Sequence, residues 1–208
     1  MLLSVIAVIL IAYLLGNLNG AIFTSRYFAH EDVRQKGSGN AGLTNFIRNY
    51  GVGKALFVIV LDAGKTVAAC LLGGALLAPY GYQTEGTVLG ALCVSIGHDF
   101  PVFFGFKGGK GIVCGATIAL ILDSGVFLIL LAIFVVCFVI TRYVSLSSIF
   151  VAAAFSVCFV IFYWGNLPLQ IGTAFIGIFA IWMHRENIKR LLSGTERKFS
   201  FGSKEKDK

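Results

Sequence analysis

Apolar runs of up to about 25 residues recur along this chain, and they leave it few ways to fold. Hydrocarbon offers no water to backbone N–H and C=O groups, so a segment that crosses it must bond those groups within itself, as a helix does. Seven such runs are readable, at residues 2–24, 53–78, 86–103, 111–123, 126–141, 147–164 and 168–183. Charged residues make up 13% of the chain, against about 25% in soluble domains. The expectation is an all-α polytopic integral membrane protein with seven transmembrane helices. It forms a single membrane-embedded domain over residues 1–208, with 199–208 a flexible charged tail. Met1 to Leu15 has no basic leader and no small-residue cleavage site, so it reads as the first transmembrane helix. Residues 111–123 are too few to cross unaided; that span is expected to tilt or to begin earlier.

Lys and Arg set the orientation. With the N-terminus outside, sixteen of the 17 basic residues fall in inner loops or in the C-terminal stretch. The exception, Lys65, lies within the second span. The outer loops keep only Glu85 and Asp123 as charges. This partition predicts a cytoplasmic C-terminus and puts three polar stretches, 36–48, 97–111 and 184–198, on the cytoplasmic face. A composite active site needs several loops converging in this way. The net charge of +7 suits an anionic membrane face or anionic substrates. Nucleic acid is not expected, because the basic residues flank hydrophobic spans.

The first stretch, Lys36 to Arg48, carries glycines at 37, 39 and 42. GxGxxG spacing implies dinucleotide binding only after a strand, and here a membrane helix precedes it. The near-match to a P-loop fails at Leu43, where lysine is required. What remains is the physics those motifs share: Gly37, Gly39 and Gly42 let backbone amides converge on an anion ahead of a helix N-terminus. Ser38, Asn40, Thr44 and Asn45 add neutral donors, and Arg48 adds a guanidinium suited to bidentate phosphate binding.

The second stretch, GHDFPVFFGFKGGKG from Gly97 to Gly111, reads as another anion cradle. Lys107 and Lys110 supply charge, and Gly108, Gly109 and Gly111 supply accessible amides. His98 stands before it, in a structural or a chemical role. In the third stretch His184 and Asn187 are spaced i, i+3, facing one way at the inner end of the last span. They could hold a hydroxyl or phosphoryl oxygen, and Leu191 and Leu192 suggest an amphipathic interfacial helix. Ser145, with Ser147 and Ser148, either caps the sixth span or completes the site. Asp62 and Lys65 share one helix face in the second span and read as a buried pair that orients helices or supports the site. The five cysteines lie singly in apolar stretches, as small hydrophobes.

Together these stretches resemble the PlsY-type acyl-phosphate:glycerol-3-phosphate acyltransferases of bacterial membranes. That family's motifs look like GSGNxGxTNxxR, GHxFPxxxxFKGGKG and HRxNIxRLxxGxE. They match Gly37–Arg48, Gly97–Gly111 and His184–Glu196 here, in order, and the likeness covers nearly the whole chain. Leu43 stands where the family usually has Ala, at a position that reads as packing. The resemblance implies a seven-helix enzyme of the bacterial inner membrane, with its active site facing the cytoplasm. It would transfer a fatty acyl group from acyl phosphate to the 1-hydroxyl of glycerol 3-phosphate, giving lysophosphatidic acid and phosphate. Both substrates carry phosphate, which fits two basic, glycine-rich loops. Acyl phosphate is already activated, so no metal or cofactor is expected, and no obligate protein partner is implied.

Ser38 and Lys107, with the loop amides and the serine cluster, are expected to stabilise the acyl phosphate's developing charge. Arg48, Lys110, His184 and Asn187 are expected to orient glycerol phosphate. The roles of the two lysines could be exchanged. The base is His98, His184 or, preferred here, the acyl phosphate's own oxygens. The His-x4-Asp pattern of soluble-type acyltransferases is missing, since Gln35, Phe103 and Lys189 occupy the fifth position after each histidine. Two other classes compete. An anion transporter would call for charged outer loops, and no internal repeat is visible. An assembly protein would not require three donor-rich loops on one face.

Overall fold

The structure is a computed structural model that describes residues 1–199. The described residues form helices and no strand. In chain order these are α1 (Leu2–Gly16), α2 (Gly20–Ala29), α3 (Leu43–Tyr50), α4 (Ala55–Leu77), α5 (Gln83–Asp99), α6 (Ile112–Leu122), α7 (Ser124–Thr141), α8 (Val144–Phe162), α9 (Leu167–Met183) and α10 (Arg185–Leu192). By length and composition, five segments among the described residues can cross a membrane. They are α1–α2 taken together, α4, α5, α7 and α8, and the pair α9–α10, bent by 53°, makes a sixth if counted as one. The expected fourth span is α6, an apolar helix of 11 residues.

The helices pack in two groups. α1, α4 and α5 meet closely through small residues: a Cβ on Gly73 would stand 2.1 Å from Gly86 O, and one on Gly86 2.2 Å from Gly73 O. Such contacts let backbones approach where lipid supplies no hydrophobic drive between helices. The second group, α6 to α9, packs against α5 around Ile118, Leu130, Phe155, Phe159 and Leu169. A smaller cluster of Ile22, Val33, Phe46 and Val58 seats the first polar loop and α3 on α2 and α4.

The first apolar run is not one helix, as its hydropathy suggested. It breaks at Asn17-Leu18-Asn19, and side chains take up the freed backbone groups. Asn19 Oδ1 caps α2 by accepting from Ile22 N at 3.0 Å. Lys65 Nζ donates to Gly16 O at 3.1 Å and Leu18 O at 2.9 Å, and Asp62 Oδ1 accepts from Gly20 N at 3.0 Å. The Asp62–Lys65 pair, 2.8 Å apart, thus puts its cation at the carbonyl end of α1 and its anion at the amide end of α2. Both ends are complemented in the sense their dipoles demand.

α6 and α7 are joined by Asp123 alone, whose Oδ1 caps α7 through Val126 N at 3.0 Å. Tyr163 OH, beyond α8, donates to Asp123 Oδ2 at 2.6 Å, so this corner shares an end of the bundle with the end of α8. Laid beside the 18-residue α7, α6 falls short by about 10 Å at 1.5 Å per residue. The loop ending at Gly111 is therefore recessed into the bundle.

Phe199, expected at the start of a frayed tail, is docked. Its N–H donates to Arg142 O at 2.8 Å, and its ring meets Phe138 edge-on. The rest of that expected tail, 200–208, lies outside the described residues.

Candidate active site

The three polar stretches meet. Ala41 N donates to Gly108 O at 3.3 Å, joining the first loop to the second. Arg34 strengthens that joint: Nη1 donates to Phe104 O at 2.7 Å and to Lys107 O at 3.1 Å. Asp32 holds the same guanidinium from the other side, at 2.9 Å from Nε and 2.8 Å from Nη2. The second loop joins the third through Lys110 Nζ, which donates to Asn187 Oδ1. Arg48 Nη2 reaches Arg197 O at 3.1 Å, closing the ring from the first stretch to the third.

At the centre lies Glu196. Its Oε1 accepts from Ser145 Oγ at 2.6 Å and Asn187 Nδ2 at 2.8 Å, and its Oε2 accepts from Arg190 Nε at 2.7 Å. Burial pushes the Glu196 carboxyl up, but hydrogen bonds from Ser145, Arg190 and Asn187 outweigh it and hold the group below the usual carboxylate range. The Asn187 amide is thereby oriented, with its NH2 on Glu196 and its oxygen toward Lys110. Burial lowers the Lys110 ammonium to about 8, helped by Arg190, while Glu196 and Asp99 oppose the shift. A cation that is hard to keep charged when empty gains most from an anionic ligand.

His184 is buried, and its Nδ1 lies 2.8 Å from Ala180 O. A carbonyl only accepts, so Nδ1 carries the proton and a neutral ring offers Nε2 as an acceptor. Ser38 and Lys107 are exposed. Thr44 and Asn40 are half-buried where the first loop enters α3. Ser147 and Ser148 bond the carbonyls of Tyr143 and Val144 within their own helix, so of the three serines only Ser145 joins the network.

Several expected anion donors are used inside the fold. The Ser38 and Gly39 amides donate to Asn45 Oδ1 and Lys36 O, and those of Gly108 and Gly109 donate to Asp99 O and His98 O, each at 3.1 Å. Asn45 is spent as well. Its NH2 donates to the carbonyls of Val33, Lys36 and Asn40, while its oxygen accepts from Ser38 N and Asn49 Nδ2. It shapes the loop from within. His98, 3% exposed, also lies behind the loop. Its Nδ1 sits 2.7 Å from Lys65 Nζ, and Gly109 packs on its Nε2 so closely that a Cβ there would stand 2.1 Å away. The cationic side chains nearest these loops are Lys107, Lys110 and Arg48, the last already donating to Arg197 O.

Sequence reasoning missed Arg34 and gave Glu196 no role. Asp32-x-Arg34 was a readable ion-pair signal, whereas nothing local announced that Arg34 would cross to carbonyls 70 residues away.

Below Lys110 the surroundings turn apolar. A cavity of about 30 Å3 runs from Lys110, Asp99 and Gly111 toward Leu130, Phe155 and Ile176. The site therefore joins a polar, cationic ring to hydrocarbon-like walls.

Known proteins resemble this chain in sequence and in fold. The glycerol-3-phosphate acyltransferase family profile matches residues 6–194. The glycerol-3-phosphate acyltransferase of Thermoanaerobacter sp. (strain X514) is 40% identical over 189 residues, covering 91% of this chain and 92% of that protein. That of Shouchella clausii is 36% identical over 207 residues, covering 95% and 97%. The fold is similar to the crystal structure of PlsY, an integral membrane glycerol 3-phosphate acyltransferase, in its glycerol 3-phosphate form. The TM-score is 0.83 at 32% identity, over 95% of this chain and 96% of that one. Its lysophosphatidic acid form matches with a TM-score of 0.82 at 31% identity.

Proposed function

Since the chain belongs to the glycerol-3-phosphate acyltransferase family, we propose that its acyl donor is acyl phosphate and that it works at the cytoplasmic face of the bacterial inner membrane. The chain is an integral membrane enzyme that acylates glycerol 3-phosphate. The observation that carries the donor assignment is Lys110, a cation at the seam between the polar ring and an apolar cavity. An acyl phosphate has the same two-sided character: an anionic head joined through a single carbonyl to a long hydrocarbon chain.

In this reading the acyl carbonyl lies at the seam. Its first carbons meet the apolar walls, and the rest of the chain lies in the bilayer. Lys110 and Lys107, with Ser38 from the first loop, hold the donor's phosphate; Arg48, His184 and Asn187 orient glycerol 3-phosphate. The acceptor's 1-hydroxyl oxygen bonds to the acyl carbon, the carbon–oxygen bond to phosphate breaks, and the hydroxyl proton passes to a phosphate oxygen. Phosphate leaves as hydrogen phosphate, a dianion like the acyl phosphate it came from, so atoms and charge balance without a protein base. The placement of His98 behind the loop supports leaving it out of proton transfer. Orientation of two held reactants can contribute about 7–11 kcal/mol.

The topology belongs to the same proposal. α6 serves as the fourth of seven crossings, shortened because its first turns are replaced by the recessed loop, with the N-terminus outside and the C-terminus inside. The basic-residue partition supports this orientation.

The test uses purified protein in detergent or lipid with glycerol 3-phosphate and either palmitoyl phosphate or palmitoyl-CoA, following released phosphate or CoA together with lysophosphatidic acid. Product from acyl phosphate alone is expected. Product from acyl-CoA at a comparable rate overturns the donor assignment and leaves the acyltransferase in place.

A further inference from the structure

Asp99 ends α5 with a side chain 2% exposed. Its Oδ1 has no hydrogen-bond partner among the described residues, a condition shared there only by Thr24 Oγ1. A buried acceptor without a donor is costly, and a carboxylate more so. The nearby cations are engaged elsewhere: Lys65 Nζ with Gly16 O, Leu18 O, Asp62 and His98, and Lys110 Nζ with Asn187. The oxygen lies below Gly111, where a Cβ would be 3.5 Å away. It faces the start of α6, which no side chain caps. The positive end of that helix helps a carboxylate tolerate the position without removing its need for a donor.

Asp99 lines the cavity beside Lys110, together with Ser95 and Gly111. Ser95 Oγ donates to Ala91 O at 2.8 Å, so its proton is spent. The polar end of the cavity thus offers one cation and one acceptor lacking a donor. Its volume, about 30 Å3, has room for a small polar group. A carboxylate would repel a phosphate, and an acyl chain brings no donor.

Glycerol 3-phosphate has two hydroxyls. The 1-hydroxyl is the nucleophile and must face the acyl carbon, and the phosphate belongs with the cations. The 2-hydroxyl is the donor left over. We propose that Asp99 Oδ1 accepts the hydrogen bond of the glycerol 2-hydroxyl and so makes this enzyme select acceptors that carry it. A site built to bond a substrate hydroxyl rejects an analogue lacking it far more strongly than an apolar pocket rejects a missing methylene. The proposal rests on glycerol 3-phosphate being the acceptor.

The test compares glycerol 3-phosphate with 3-hydroxypropyl phosphate, which keeps the phosphate and the nucleophilic hydroxyl and lacks the 2-hydroxyl. kcat/KM for each is measured in the wild type, Asp99→Leu and Asp99→Asn. Both rates come from one preparation, so their ratio is independent of the fraction folded. The wild type is expected to prefer glycerol 3-phosphate by about 100-fold or more. Asp99→Leu should cut the ratio at least tenfold while keeping activity on the analogue. Asp99→Asn, whose amide oxygen still accepts, should fall between the two, and it decides the matter if Asp99→Leu does not fold. An unmoved ratio overturns the proposal and leaves Oδ1 to a structural water. Wild-type protein that acylates neither acceptor overturns the underlying acceptor reading instead.

Discussion

Lys65 and His98, on neighbouring helices α4 and α5, stand 2.7 Å apart, nitrogen to nitrogen. Asp62 Oδ1 lies 2.8 Å from the same ammonium and 3.4 Å from His98 Nδ1, and the far nitrogen of the ring, Nε2, packs against Gly109. One lysine thereby links the break between α1 and α2 to the loop that carries Lys107 and Lys110. Breaking a buried pair leaves an uncompensated charge, at a cost of about 3–5 kcal/mol. Lys65→Met and Asp62→Asn should each lower the melting temperature of the purified protein sharply. The double variant should lose less than the sum, because no lone charge remains. Strict additivity in the melting data would show that the two residues act independently.

Gly109 tests the same linkage from the loop side. A methyl group there would meet the His98 ring at 2.1 Å, with no flexible end to yield. Gly109→Ala is expected to lower kcat by tenfold or more and to destabilise the protein. Gly64, in the interior of α4 with nothing within 4 Å of a new Cβ, serves as the control. There Ala should be neutral or stabilising by about 0.5–1 kcal/mol, since glycine is the poorer helix former. Equal effects at the two positions would mean that contact with His98 is not what fixes the loop.

Arg34 holds the first loop to the second by two bonds to backbone carbonyls and two to Asp32. Those bonds set the backbone at Lys107 without touching the cavity. Arg34→Gln should raise KM for the acyl donor several-fold, with a smaller change in kcat. Arg34→Lys should rescue little, because an ammonium cannot form the planar fork that spans both partners. Steady-state kinetics with varied acyl donor would expose the alternative, a uniform loss of folded enzyme that lowers the apparent kcat and leaves KM alone.

The helices were legible wherever hydropathy alone decides, as in α4, α5, α7 and α8. The break at Asn17–Asn19 was not, because Lys65 and Asp62, over 40 residues away, stabilise it. α6 kept its place in the order but, at 11 residues, not the length of a crossing. Among site residues, Lys110, Asn187 and Ser145 could be named from motif chemistry and do converge. His98 and Asn45 could be named but not placed. A polar side chain in a glycine-rich loop can face a ligand or brace the loop, and only the direction of its bonds distinguishes the two. Glu196 was legible as a letter of a motif, while its function as the acceptor for Ser145, Asn187 and Arg190 is purely tertiary.

Lys110 makes the pH dependence specific. Burial is the main reason its ammonium lies at about 8, below the ordinary lysine value of 10.5. Between those values the unfolded chain holds a proton that the folded one lacks, so the stability penalty of burying this charge is relieved as pH rises through that window. Ligand binding runs the other way. A phosphate favours charged Lys110, so above about pH 8 binding must take up a proton and weakens by up to about tenfold per pH unit. If Lys110 holds one of the two phosphates, KM for that substrate should be flat from pH 7 to about 8 and climb beyond it. The other substrate's KM should stay level over the same range. Lys110→Arg, which stays charged throughout, should flatten the climb whatever it does to the absolute rate. Measuring both KM values from pH 7 to 9.5 therefore also tells which substrate Lys110 holds, and a level profile for both would remove Lys110 from phosphate binding.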